Sequence, residues 1–261
     1  MNAIKKYFNS REINFNSLLG KPRRKYTTGT YHKLRVEIKK LKALFDLINF
    51  CSKDFKEKKT FKPFKQIFDQ AGRIRELQLE EAMIKKYFVD DKLSEYLSEI
   101  RKLRLKEQGT YFSMVSPKLI VRINNRFQII VPFLSEIKNK KAIDYLEKKT
   151  KSVRKIINKK TLQAEQLHEL RKLLKTLNYT RTILSIEKGN MRSLKKDILP
   201  DLLGKWHDNQ VIIRQLQKAI DTGHIISKEV NNSKKIIAKI SSGNNKLFAN
   251  ISKSLSQTDI F

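Results

Sequence analysis

An all-α fold is what this sequence predicts, and three observations carry the prediction. Leu, Ile and Lys recur in long runs interrupted by only 8 glycines and 5 prolines, a balance that favours helix over sheet. Apolar residues return with the three-to-four-residue spacing of a helix from one end of the chain to the other. No segment alternates as a strand would, and only a short run at 127–133 is ambiguous.

Taken in order, residues 2–19 read as a helix with Ile4, Tyr7, Phe8 and Leu18 turned to a core. A basic break from Gly20 to Lys25 follows, and Thr27, Thr28 and Thr30 are placed to cap a helix that runs to about residue 52. A helix at 55–70 carries Phe61, Phe64, Ile67 and Phe68 on one face; Pro63 is expected to delay its start and Gly72 to close it as a C-cap. Helices at 75–87 and 92–114 come next. Ser116-Pro117 opens another through residue 136, with Pro132 kinking its end. The polar junction 138–141 is the best candidate boundary. Beyond it the pattern gives helices at 141–159, 161–187, 191–203, 208–221 and 226–248, and a polar tail after Ser252 that should fray.

Charge narrows the possible partners. Of 261 residues, 57 are Lys or Arg and 26 are Asp or Glu, a formal charge of +31. Such a surface attracts polyanions: nucleic acid, polyphosphate or an anionic membrane. The single Cys51 excludes an intrachain disulfide and a thiolate metal cage. The start of the chain lacks an apolar signal core, and no run reaches the ~18 apolar residues of a membrane span, so a soluble, cytoplasmic protein is expected.

The informative stretch is YHKLRVEIKKLKALFDLINF, residues 31–50. At about 100° per residue, His32, Arg35, Lys39 and Lys42 fall within about 80° of one another beside the apolar stripe Leu34, Ile38, Leu41, Phe45 and Ile48. Glu37 and Asp46 are read as lying off that strip. The same pattern returns at LHELRKLLKTLNYTRTIL, where His168, Arg171 and Lys175 align with His32, Arg35 and Lys39, and Asn178 takes the place of Lys42. A second pair follows each copy: Gly72-Arg73-Ile74-Arg75-Glu76 and Gly204-Lys205-Trp206-His207-Asp208. Two copies of one helical unit, 1–138 and 139–261, account for this self-similarity.

The paired HxLR and Gly motifs, in this order, resemble the CHAD domain (conserved histidine α-helical domain) over nearly the whole chain. The resemblance implies two pseudo-symmetric four-helix bundles whose basic helices face a central groove or pore that binds inorganic polyphosphate, with no catalysis and no cofactor. By position, His32, Arg35, Lys39, Lys40 and Lys42 of the first copy and His168, Arg171, Lys172 and Lys175 of the second would line it. Phosphate or sulfate ions could occupy the same site, and the family suggests an association with polyphosphate granules. This chain departs from the family pattern in carrying Lys at 39, 40 and 42, Asn178 for a basic residue, and Glu76 for aspartate. Lysine keeps the charge and loses the bidentate geometry of arginine.

Each residue has a bland alternative. A lone histidine is ordinarily structural, and a strip of charge is ordinarily a solvated face; two copies in register shift the balance towards a site. Arg75 and His207 would add to it by opening helices after a glycine, where helix N-termini favour anions, while Glu76 and Asp208 would cap or orient. Tyr179 matches a family aromatic position and has a core role equally open, Trp206 reads as core or interface, and paired lysines such as Lys140-Lys141 read as outer decoration. Two other functions stay open. A metal-dependent phosphohydrolase could be sought in His168, His207-Asp208 and Asp221, but Arg75 in the first copy, where the second has His207, speaks for anion contact rather than metal. A nucleic-acid binder fits the charge, yet the phenylalanines fall on apolar faces rather than among the basic groups.

Overall fold

Helix boundaries follow the capping residues that the sequence supplies. Thr27 sits in extended backbone, and its N–H donates to Thr30 Oγ1 at 3.2 Å, which starts the helix carrying His32. Just before it, the Tyr26 hydroxyl lies 3.0 Å from the carbonyl oxygens of Leu18 and Leu19, tying the basic break to the end of the first helix. The computed structural model describes residues 3–87, 92–159, 162–185 and 198–257. Among them run α1 (Ala3–Leu19), α2 (Thr28–Cys51), α3 (Glu57–Tyr87), α4 (Ser94–Met114), α5 (Pro117–Ile130), α6 (Asn139–Ile157), α7 (Ala164–Ser185), α8 (Ile198–Asp221) and α9 (Ser227–Gln257), and no strand. None of these helices is long and apolar enough to cross a membrane.

The ambiguous run at 127–133 is helical, and Pro132 acts as expected: α5 gives way to a 3-10 turn at Val131–Glu136. Two expected breaks do not occur. The segments 55–70 and 75–87 are one helix, α3, which runs through both Pro63 and Gly72. Gly204 likewise lies inside α8, which joins 208–221 to the end of the segment expected at 191–203, whose residues 191–197 lie outside the described ones. A glycine ends a helix when it takes the left-handed conformation, and among the described residues only Gly223 does, at φ 71°. There the His224 N–H reaches back to the Ala219 carbonyl at 2.9 Å and closes α8. The tail does not fray at Ser252 either: α9 runs to Gln257, with Ile251 fully buried near its end.

The chain forms two compact units, one of Met1–Gly72 with Thr110–Lys196, the other of Arg73–Gly109 with Asp197–Phe261. They do not coincide with the sequence repeats 1–138 and 139–261: each unit draws on both halves, and the junction at 138–141 falls inside the first. At 31 and 21 residues, α3 and α4 are long enough to contribute to both units.

In the first unit α2 packs on α1, α6 and α7. Its core is aromatic: Phe8, Phe15, Phe45, Phe55, Phe64 and Phe127 are fully buried, and their rings meet edge to face. Lys141, expected on the outside, donates to the Cys51 carbonyl at 2.7 Å and satisfies an orphan acceptor at the end of α2. The second unit is aliphatic, built on Ile84, Ile100, Ile212, Leu216, Ile236 and Ile240. There the Glu229 carboxylate of α9 accepts the N–H groups of Glu95 and Tyr96 at 3.0 and 3.1 Å, capping α4 from outside its own helix.

Candidate anion-binding site

The two HxLR helices, α2 and α7, pack directly against one another inside the first unit. Where they meet, a cleft of about 210 Å³ is walled by Lys39, Lys42, Ala43 and Asp46 of α2, Phe68 of α3, and Arg171, Lys172, Lys175, Thr176 and Tyr179 of α7. Five cations thus converge on one cleft, with Asp46 as the acid among the described lining residues.

The α2 cations are not equivalent. Lys42 Nζ pairs with Asp46 one turn along and with Glu57 of α3 at 3.1 Å. Burial works against its charge, but the two carboxylates outweigh burial and hold its pKa above the ordinary value. The reading of Asp46 as off the strip is therefore corrected: residues four apart share a helix face, so an acid at 46 lies beside Lys42. Burial raises the Asp46 pKa despite that partner.

Arg35 is turned to α3. Its guanidinium donates to the Phe68 carbonyl at 2.8 Å and lies 4.1 Å over the Phe68 ring. It passes where a side chain at position 72 would be, since a Cβ on Gly72 would come within 1.9 Å of Arg35 Nη1. Gly72 is a passage for Arg35 rather than a helix stop. A Cβ on Gly204, its counterpart, would meet open space. Lys39 Nζ lies 5.7 Å from the centroid of the same ring, so that ring seats two of the strip's cations.

Lys40 and His32 face a different cavity, of about 410 Å³, shared with Asn14, Ser17, Leu18, Lys21, Lys33, Val36 and Glu37. Glu37 is buried there and receives Arg11 at 2.8 Å and Lys40 at 2.8 Å. The single strip read from the sequence is thus divided by α2 itself between two cavities.

On α7 His168 is half-buried one turn before Arg171. Asn178 does not wall the cleft; Tyr179 and Thr176 do. Burial raises the Tyr179 pKa, with Glu37 adding to the effect and Arg171 opposing it, which keeps its hydroxyl protonated. Tyr179, whose role the sequence left open between a family aromatic position and the core, stands one and two helical turns from Lys175 and Lys172; Phe68 was read as core, and because it lies on α3 no spacing along one helix places it beside these cations.

Arg75 and His207 belong to the second unit. Neither opens a helix: both lie inside α3 and α8, where peptide N–H groups are already bonded, so the expected N-terminal anion contact is absent at these positions. Of the residues considered for a metal, His168 lies in the first unit and His207, Asp208 and Asp221 in the second. Among the described residues no three His, Cys, Asp or Glu side chains come together as a metal site.

The model of the CHAD domain family matches residues 22–217. Among solved structures, the crystal structure of the CHAD domain from the plant Ricinus communis is similar to this chain with a TM-score of 0.72 at 16% identity, over 98% of this chain and 89% of that one. No curated protein matches.

Proposed function

The chain belongs to the CHAD domain family, and on that premise we propose that it binds inorganic polyphosphate, without catalysing a reaction on it, in the cleft between α2 and α7. The observation that carries the reading is the convergence of Lys39, Arg171, Lys172 and Lys175 from two sequence-related helices on one cleft. A polyphosphate offers a charge and outward oxygens at every unit, and no base to stack or edge to read. It calls for cations in rows, with acids already neutralised, and Asp46 is held by Lys42. In this reading Lys39, Lys172, Lys175 and Arg171 contact phosphate, and His168 extends their row. Lys42 is taken up by Asp46 and Glu57 and serves to neutralise the acid of the cleft, and Arg35 fixes the Phe68 side of the wall. The basic surface at large steers the polyanion in, so affinity falls steeply with salt. A cytoplasmic protein associated with polyphosphate granules is the setting that fits.

Nucleic acid is the competing ligand. Single-strand binders stack bases on exposed rings, whereas Phe45, Phe64 and Phe127 are buried in the core and Phe61 and Phe68 are half-buried against it; Phe50, read as a core ring from the sequence, is exposed, with its ring against Tyr145 and Lys148. Competition decides between them: labelled long-chain polyphosphate should survive an equal phosphate concentration of single-stranded DNA or RNA, and displacement by either would reject the reading. Polyphosphate incubated with the protein and divalent ions should keep its length; steady release of phosphate would show catalysis. Changing Lys39, Lys172 and Lys175 together to Ala should lower affinity about a thousandfold or more, taking ~1.5 kcal/mol or more for each charged contact. The same change at the exposed Lys118, Lys151 and Lys155 should cost under about fivefold, because distant exposed charge is screened. Equal losses from the two sets would mean that only total charge matters.

A further inference from the structure

Lys39 and Lys40 are neighbours in sequence and wall different cavities. The cavity on the α1 side of α2 is the larger, at about 410 Å³. It brings Lys21 from the basic break together with His32, Lys33 and Lys40 of α2, and adds Asn14 and Ser17 of α1, which are neutral hydrogen-bond donors. Its one acid among the described lining residues, Glu37, is already taken up by Arg11, at 3.1 and 2.8 Å to its two oxygens, and by Lys40 at 2.8 Å. The Arg11 guanidinium is seated in turn over the Tyr7 ring at 5.3 Å. The wall therefore presents surplus positive charge and small polar donors while its carboxylate is occupied, which is the donor set of a phosphate site. Residues 32–40 wall this cavity and 39–46 the cleft beside α7, so the two centres stand about 10 Å apart along α2 at 1.5 Å per residue.

We propose that the α1-side cavity is a second phosphate subsite for the same ligand, and that a polyphosphate chain leaving the α2–α7 cleft crosses the Lys39–Lys40 turn into it. This rests on the polyphosphate reading above. Affinity then rises with chain length until both cavities are filled. His32, on this account, meets phosphate in the second subsite and not beside Arg171.

The test uses the full chain with labelled histidine, following the His32 ring signals by NMR, against three probes: inorganic phosphate, tripolyphosphate and long-chain polyphosphate. Affinity for each is measured in parallel for the unaltered protein, for K21A/K33A and for K172A/K175A. Long-chain polyphosphate should move the His32 signals. K21A/K33A should weaken long-chain binding about tenfold, lower its salt dependence by about one unit of slope per lysine, and leave tripolyphosphate binding within about twofold. K172A/K175A should still show the His32 response, at higher concentration. His32 signals that stay still while long chains bind would overturn the subsite and leave the α2–α7 cleft standing. So would a K21A/K33A protein that binds long chains as the unaltered one does. Inorganic phosphate that moves His32 at the same concentration as long chains would make the cavity a free-phosphate site and overturn the chain-crossing proposal. Absence of any saturable polyphosphate binding to the unaltered protein would reject the proposed function itself, and the subsite with it.

Discussion

The unit built from Met1–Gly72 and Thr110–Lys196 is packed around rings, whereas the unit built from Arg73–Gly109 and Asp197–Phe261 is packed around aliphatic chains and the buried carboxyls Glu80 and Glu229. The difference explains where a cationic cleft can be built. Ring faces attract cations, and in the first unit Arg11 lies over Tyr7, Arg35 and Lys39 over Phe68, and Lys42 over Phe61. An aromatic core can thus hold a row of like charges at its edge that an aliphatic core would leave to repel one another. The second unit uses polar burial otherwise, placing carboxyls where they cap α4 through Glu229 and accept the Tyr96 hydroxyl through Glu80 at 2.6 Å.

The most severe way to break the comparison is to remove a ring. Phe64 is fully buried, with Phe127, Phe15 and Phe45 at ring-centroid distances of 5.2, 5.5 and 5.6 Å. Phe64→Ala should cost about 3–5 kcal/mol, read from urea denaturation by circular dichroism. The sole tryptophan, Trp206, is buried in the other unit and reports on it alone. If the units are energetically separate, the Trp206 fluorescence transition stays in place while the helical signal shifts. A common shift would show that they unfold as one.

A comparable effect should appear in the aliphatic unit as a dependence on pH. Burial raises the Glu80 carboxyl from an ordinary 4.5 to about 7, with Glu76 adding to the effect and the Tyr96 hydroxyl opposing it. Below the lower value both folded and unfolded chains hold the proton. Between the two, the folded chain keeps a proton that the unfolded chain has released, so stability falls as pH rises and is lowest above about 7. At ~1.4 kcal/mol for each pH unit the full loss is about 3 kcal/mol. Glu80→Gln should flatten this slope and stabilise the protein at pH 8, monitored by Trp206 fluorescence. A wild-type slope of the opposite sign would mean that Glu80 is charged in the fold.

Much of this was legible in the sequence. The helical class, the caps at Thr27 and Ser116, and the switch at Pro132 follow from local chemistry, which the sequence displays directly. The pairing of the HxLR helices was visible as self-similarity, and those helices do share a cleft. What escaped depends on partners distant in the chain. Gly72 looks like a stop until Arg35 is seen crossing it. Asp46 looked harmless until its spacing from Lys42 was closed into an ion pair with Glu57 alongside. That Lys39 and Lys40 serve different cavities depends on α1 and α7 flanking α2, which no window along one helix contains.

The finest test of the contrast compares the two motif glycines, Gly72 in the ring unit and Gly204 in the aliphatic one. Both lie inside helices, where alanine is favoured over glycine by ~0.5–1 kcal/mol when there is room. At Gly204 there is open space, so Gly204→Ala should stabilise by about that amount. At Gly72 the new Cβ would stand 1.9 Å from Arg35 Nη1 and displace the guanidinium from the Phe68 carbonyl and ring. Losing a charged hydrogen bond and a cation–π contact outweighs the gain in propensity, and Gly72→Ala should destabilise by about 1–3 kcal/mol. The two effects separate in a double-mutant cycle. With Arg35→Ala already in place nothing obstructs position 72, and Gly72→Ala should then stabilise as Gly204→Ala does. If Gly72→Ala stays equally harmful without Arg35, the glycine serves the α3 backbone itself, and the two motif glycines differ for a reason other than the arginine.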